Sequence, residues 1–423
     1  GEPTTGAEAA CRLRCNAEPA CEFYTFASNG KRCVLSTAAC GKVPLHQVKD
    51  HSTFRRNAPY WLYSTVLHLA PGVEHQLQVF GEAVKLTIPE EDHGVAGIVW
   101  ADPCMTSQWV PCTWHGGVDL VSGTYDLVNT IAEHDQRLDF WQILGDNFYD
   151  QDGRITKPVF DQLSPHLKRR FLQVAVGNHD LWVGGYPPGD AAFDQFGHGF
   201  MQFYAQDTAA AVSARNGSPF NLSITPDSPD AEGLHHDLRN APANFMWYHK
   251  LGNLGFVAYN GAATWPETEP FLREACAYFD AHPASFVFLL GHWNEATDGA
   301  DRGMEAPAVR RAMLDLPGCA LGDRLKFIDG HEHCNMVQEQ GENEPVGFMA
   351  GGRGMFALVC HPGVGFIYID SRHDSKLRVW YFEEHTVLSN HRDQIASCVR
   401  KTGSLARCTQ FATLWLESDL VAA

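Results

Sequence analysis

The sequence predicts an α/β domain with a largely buried sheet core, preceded by a small disulfide-rich module. Three observations predict it. From residue 95 onward, short apolar segments of strand length alternate with stretches whose apolar residues recur every three and four positions. Cys11, Cys15, Cys21, Cys33 and Cys40, five of the thirteen cysteines, crowd into the first forty residues. Polar residues of metal-ligand type follow most of the apolar segments, in each case at the C-terminal end, where open α/β sheets gather residues distant in sequence.

Composition bounds the reading. The chain has 423 residues, 44% apolar and 19% charged, which is ordinary for a folded globular protein. No apolar run approaches the roughly 18 to 20 residues that cross a bilayer, so no membrane span is expected. The thirteen cysteines point to an oxidising compartment, and the sequons Asn216-Gly-Ser218 and Asn221-Leu-Ser223 agree with secretion. The start at Gly1 without a Met fits a removed leader and fits any other boundary equally well. A net charge of −18 opposes binding to nucleic-acid backbones or anionic membranes. A small anionic substrate would therefore need a strong local positive centre.

Element by element, residues 8–40 read as a short helix through Cys11 and Cys15, a turn, and aromatic strand-like runs at 23–26 and 32–35. Alternating patches at 66–69, 76–80 and 84–88, broken by Pro71-Gly72 and Gly81, predict a β-hairpin. The division expected is 1–45 for the cysteine-rich module, 46–92 for a linker with the hairpin, and 93–423 for the large domain. Within it, strands are predicted at 95–100, 140–144, 171–176, 245–249, 254–259, 286–290, 325–328, 365–369 and 377–382. Helices are predicted at 118–134, 159–169, 270–281 and 305–314.

The polar residues at the strand ends are Asp102, then Gly145-Asp146-Asn147-Phe148-Tyr149, Gly177-Asn178-His179-Asp180, Gly291-His292 and Gly330-His331-Glu332-His333. Glycine lets the chain turn sharply where each strand ends. Any one of these motifs is short enough to arise by chance, but in this order, each after a strand, they form a specific signal.

The set resembles the calcineurin-like metallophosphoesterases and, through Tyr149, the purple acid phosphatases. The resemblance covers about 98–355. It implies a β-sandwich of two mixed sheets flanked by helices. By position, it implies that Asp102, Asp146, Tyr149 and His333 hold Fe(III), and that Asp146, Asn178, His292 and His331 hold Fe(II), Zn(II) or Mn(II), with Asp146 bridging. Oxygen donors then gather on the harder ion and imidazoles on the softer one. The net charge of such a centre is about +2, enough to recruit a phosphate and acidify a bound water. The activity implied is hydrolysis of phosphate monoesters by metal-activated hydroxide attack, on a small phosphorylated substrate. His179 would donate to the phosphoryl oxygens or the leaving alcohol, and Asp180 would orient it. The N-terminal segments Ala10-Cys11-Arg-Leu-Arg-Cys15, Glu18-Pro-Ala-Cys21-Glu-Phe23-Tyr-Thr-Phe26 and Lys31-Arg-Cys33-Val-Leu35 resemble a PAN/apple module. That implies bridges Cys11–Cys33 and Cys15–Cys21 and a protein or glycan ligand; a stapled cap without a ligand is the alternative.

Two departures stand out. Asp102-Pro103-Cys104 has cysteine where the family has glycine, so Cys104 is either a soft ligand or, the preferred reading, in a disulfide with Cys112. After His292 the chain runs Trp293-Asn294-Glu295 without the further histidine many members carry, leaving Glu295, Asn294, His115 or His361 as candidate proton donors. Proximity suggests bridges Cys276–Cys319, Cys334–Cys360 and Cys398–Cys408, with Cys40 left odd. Competing functions are a phosphodiesterase or nucleotidase on the same core, and a catalytically silent binding protein.

Overall fold

The computed structural model describes residues 23–27, 33–36, 51–55, 69–79, 82–104, 120–150, 155–180, 246–261, 263, 265–293, 304–351, 360, 363–385 and 390–420. Chain contacts divide it into two compact units, Gly1–Thr65 and Val66–Ala423. In the first, β1 (Phe23–Ala27) pairs antiparallel with β2 (Cys33–Ser36) and with β3 (His51–Arg55). The N-terminal sheet therefore continues past residue 45.

The second unit begins with a hairpin of β4 (Glu74–Val79) and β5 (Glu82–Thr87). Two six-stranded mixed sheets follow. One contains β6 (Ala96–Trp100), β7 (Phe140–Leu144) and β8 (Phe171–Ala175), mutually parallel, extended antiparallel by β15 (Val364–His373), β16 (Lys376–His385) and β17 (Ala412–Asp419). The other has β10 (Leu254–Ala258), β11 (Phe286–Leu290), β12 (Leu325–Asp329) and β14 (Pro345–Ala350) in parallel, with β9 (Trp247–Leu251) and β13 (Asn335–Gln340) antiparallel at its edges.

Period-two alternation makes each strand serve two layers. Val95 and Val99 enter the core between the sheets with Phe140, Phe256, Phe288 and Ile367. Ile98 and Trp100 face the helix layer instead. Across the sandwich the rings of Phe140 and Phe256 meet edge to face at 5.1 Å. Burying each such ring contributes about 2 to 3 kcal/mol, which is what holds the sheets together. Helices α1 (Leu120–His134), α2 (Thr156–Gln162), α3 (Pro165–Lys168), α4 (Trp265–Ala281), α5 (Ala306–Leu314) and α6 (Arg392–Thr402) complete the unit.

The predicted helix at 159–169 is divided. Leu163 is extended, and the Ser164 hydroxyl accepts from Leu167 N to start α3, with Pro165 in its first turn. The strands β13, β14 and β17 and helix α6 were not anticipated. The edge strands β13 and β17 are largely half-buried or exposed and carry polar residues such as Gln338, Glu339, Glu417 and Ser418. The bridges Cys276–Cys319, Cys334–Cys360 and Cys398–Cys408 are present. The pairs expected among Cys11, Cys15, Cys21 and Cys33, the residue Cys40 and both sequons lie outside the residues described or rest on them. No helix among the described residues is long and apolar enough to cross a membrane.

Candidate metal centre

The C-terminal ends of parallel strands from both sheets meet at one place. Asp102 follows β6, Asp146 and Tyr149 follow β7, and Asn178, His179 and Asp180 follow β8; from the other sheet His292 follows β11, and His331 and His333 follow β12. The backbone there is bent sharply. Asp102, Asp146, Tyr149, His331 and His333 all have left-handed φ, at 54°, 51°, 51°, 73° and 57°. In a residue with a Cβ this costs about 1 kcal/mol or more, and it persists only where the surroundings enforce it. Gly145 is required twice over: its φ is 86°, and a Cβ there would collide with the His292 ring.

The side chains form a continuous set of short contacts. His292 Nε2 lies 3.3 Å from Asp146 Oδ2, 3.0 Å from Asn178 Oδ1 and 3.7 Å from Asp102 Oδ1. His331 Nδ1 is 3.1 Å from the same Asn178 oxygen. The Tyr149 hydroxyl is 3.1 Å from both Asp102 Oδ1 and His333 Nε2, and His333 Nε2 is 3.6 Å from Asp102 Oδ1. Thus Asp102, Asp146, Tyr149, Asn178, His292, His331 and His333 all converge. His179 stands at the rim: its side chain is 17% exposed and that of His333 18%, against 0% for Asp102 and His292.

The donor chemistry of the group is that of a cation site. His292 Nδ1 donates to the Leu144 carbonyl at 2.8 Å, so in the neutral ring the Nε2 lone pair points at carboxylate and amide oxygens, all of them acceptors. Without a cation a proton has to take that place. Burial opposes the imidazolium, yet the Asp146 and Asp102 charges push His292 up to about 10. Burial, reinforced by Asp146, pushes Asp102 up to about 8. Burial also works against Asp146, but His292 holds it well below the usual carboxylate range. Burial and then Asp102 raise the Tyr149 phenol well above its ordinary value. His331 is pushed down to about 3 by burial and the His292 charge, leaving a neutral ring with a free pair. Asp102, Asp146 and His292 each offer a ligand atom within 4.8 Å of the others and can hold a metal ion. Two buried carboxyls this close can both ionise only with positive charge at their centre.

Asp180 is placed differently from the expectation. Its carboxylate accepts from Asn147 N at 2.9 Å, Asn147 Nδ2 at 2.7 Å and Gly177 N at 2.7 Å, so it binds the turns after β7 and β8 to each other. It does not reach the His179 ring, whose Nδ1 has no hydrogen-bond partner among the described residues. Burial and the nearby Asp146 push Asp180 up to about 7. The role of Asn147 was not foreseen, although it sits inside the Gly-Asp motif. Cys104 is disulfide-bonded, which removes it as a thiolate ligand; the expected partner Cys112 lies outside the described residues, as do Asn294, Glu295, His115 and His361.

Residues 2–57 match the family model of the PAN domain. The N-terminal unit carries a PAN domain. No curated protein sequence matches the chain. Among solved structures the chain is similar to the purple acid phosphatase PPD1 from yellow lupin (Lupinus luteus) seeds, 14% identical over 86% of this chain and 67% of that one, TM-score 0.47. It is also similar to the calcineurin-like phosphoesterase YfkN from Bacillus subtilis, 11% identical over 74% of this chain and 98% of that one, TM-score 0.34. Vacuolar Protein Sorting 29 from Cryptosporidium parvum is 12% identical over 78% of this chain and 100% of that one, TM-score 0.30. At such low similarity the activity has to be argued from the side chains.

Proposed function

We propose that the large unit is a secreted dimetal phosphatase acting on phosphate monoesters, with the PAN domain binding a protein or glycan. The observation that carries this reading is that, among the described residues, His292 Nε2 has acceptors for neighbours: Asp146, Asn178 and Asp102 from the opposite sheet. Asp102, Asp146, Tyr149 and His333 would hold one cation, Fe(III) when the phenolate is a ligand, and Asp146, Asn178, His292 and His331 a divalent one. Paired cations there supply the positive charge that draws in a phosphoryl group and the activation that makes water a nucleophile. The Leu144 carbonyl fixes the tautomer of His292. His179, anchored through its backbone N–H to Asp146 Oδ1 at 2.8 Å, stands with its side chain partly exposed beside the group, suited to deliver a proton to a departing alkoxide. Three disulfides in the large unit support an oxidising compartment.

Metal analysis and a visible spectrum of the pure protein test the assignment. Two metals per chain, with an absorption band that disappears in Tyr149→Phe, are expected. A colourless protein with turnover unchanged in Tyr149→Phe would remove the ferric phenolate from the account. Faster hydrolysis of p-nitrophenyl phosphate than of its bis-ester is the expected preference.

A further inference from the structure

The proposed ligand set is drawn from two sheets, so its dimensions depend on how the sheets are held where their strands end. Asp102, Asp146 and Asn178 come from the sheet of β6, β7 and β8; His292, His331 and His333 come from the sheet of β11 and β12. The core fixes the spacing of the sheets as a whole, but the His331 to His333 turn projects beyond it in left-handed backbone at both histidines. Such a turn has to be clamped from outside.

The clamps follow directly in sequence. Cys334, buried at 1% exposure, is bonded to Cys360. The next residue, Asn335, donates through Nδ2 to the Gly363 carbonyl at 2.8 Å. Both partners lie just before β15, and β15 is the strand that pairs with β6, with Ile367 opposite Val99. In that antiparallel register β15 begins beside the end of β6, where Asp102 leaves the sheet. The Gly351 N–H adds a bond to the Cys334 carbonyl at 2.8 Å, and Asp102 Oδ2 accepts from the His331 N–H at 2.9 Å.

We infer that the Cys334–Cys360 bridge and Asn335 are positioning residues for the metal centre: they tie the turn bearing His331 and His333 to the strand beside the one bearing Asp102, and so set the distance between ligands from the two sheets. This rests on the dimetal reading. Another bridge of this unit, Cys276–Cys319, joins α4 to the segment after α5, outside the strand-end turns that carry the proposed ligands. It supplies the control.

The test uses the full chain and zinc as the probe, with retained metal measured by mass spectrometry after dialysis against graded chelator. Loss of an orienting group around a metal site costs about ten- to a hundredfold in affinity. Cys334→Ser with Cys360→Ser is expected to lose affinity in that range. Asn335→Ala, which keeps the bridge and decides the matter if the double variant does not fold, is expected to lose several-fold. Cys276→Ser with Cys319→Ser should melt at lower temperature with affinity unchanged. Unaltered zinc affinity in Asn335→Ala and in the Cys334 and Cys360 double variant would overturn the inference, as would an equal loss in the Cys276 and Cys319 control. A wild-type chain that holds no zinc would sink the dimetal reading itself, and this inference with it.

Discussion

The two ends of the sandwich treat buried charge in opposite ways. At the N-terminal ends of β6 and β7, Asp370 takes hydrogen bonds from Arg372 N, Nε and Nη2, each at 2.9 Å, and from the Tyr368 hydroxyl at 3.2 Å. Burial opposes the ionised form, but the Arg372 bonds hold Asp370 below its ordinary value. Ser371 completes this end, bonded to both backbone groups of Val95 and, at 2.6 Å, to Asn253 of the other sheet. At the C-terminal ends the acids Asp102 and Asp146 meet no arginine or lysine among the described residues; their partners there are imidazoles, a phenol and backbone N–H groups. One end is a closed electrostatic structure and the other is completed from outside. Stability should therefore reside in the first and affinity for cations in the second.

Breaking the open end should cost activity and little else. Asp146→Asn removes the proposed bridging carboxylate, and turnover is expected to fall about a thousandfold, roughly 4 kcal/mol of transition-state stabilisation. In metal-free protein His292 can discharge once Asp146 no longer holds its proton, so no buried charge is stranded, and the loss of stability in urea should stay below the roughly 3 kcal/mol of a buried pair broken from one side. Denaturation of the chelated variant beside its turnover with metal restored measures both. A large loss of metal-free stability would show that Asp146 is structural.

Breaking the closed end should do the reverse. Arg372→Ala strands Asp370 in a buried setting and opens the contact with Tyr368, and breaking a buried ion pair from one side costs about 3 kcal/mol. The fraction that remains folded should keep the turnover and metal content of the parent. If metal content per folded chain falls with stability, the two ends are coupled and the contrast drawn above fails.

The same contrast explains how much could be read from the sequence. Phe286–Leu290 and Phe140–Leu144 are buried on both faces, so hydrophobicity alone marks them, and the glycine and ligand after each stand out against that background. Edge strands such as Asn335–Gln340 have half their surroundings in solvent and lack a continuous apolar pattern, so they were missed. The ligand positions were legible because their chemistry is carried by side-chain type and spacing. The Cys334–Cys360 clamp was legible too, as two cysteines close in sequence, but the hydrogen-bonded clamps were not, since the Leu144 carbonyl, the Gly363 carbonyl and the N–H of Gly177 are backbone groups that every residue possesses. Asp180 was misjudged for that reason: beside His179 in sequence, its carboxylate is taken up by Asn147 and a backbone amide.

The smallest expected effect lies at Asp139, also at the closed end but incompletely neutralised. Its Oδ2 accepts from Ala96 N at 2.9 Å at the start of β6. Burial pushes its carboxyl up to about 6, against the lowering effect of that N–H and then of Arg372 and Arg170. Because the folded value lies above the unfolded one, the folded chain binds more protons between roughly pH 4 and 6. The contribution of Asp139 to stability is thus complete below about pH 4 and lost as pH rises through about 6, an effect on the order of 2 kcal/mol. Asp139→Asn keeps an oxygen for Ala96 but no longer titrates. Relative to the parent it should therefore gain stability as pH rises from 4 to 7, with the difference confined to that window. Urea unfolding of both chelated proteins at unit pH intervals measures it. A difference that stays flat with pH would mean that the arginines neutralise Asp139 as fully as Arg372 neutralises Asp370, making the closed end more complete than its geometry suggests.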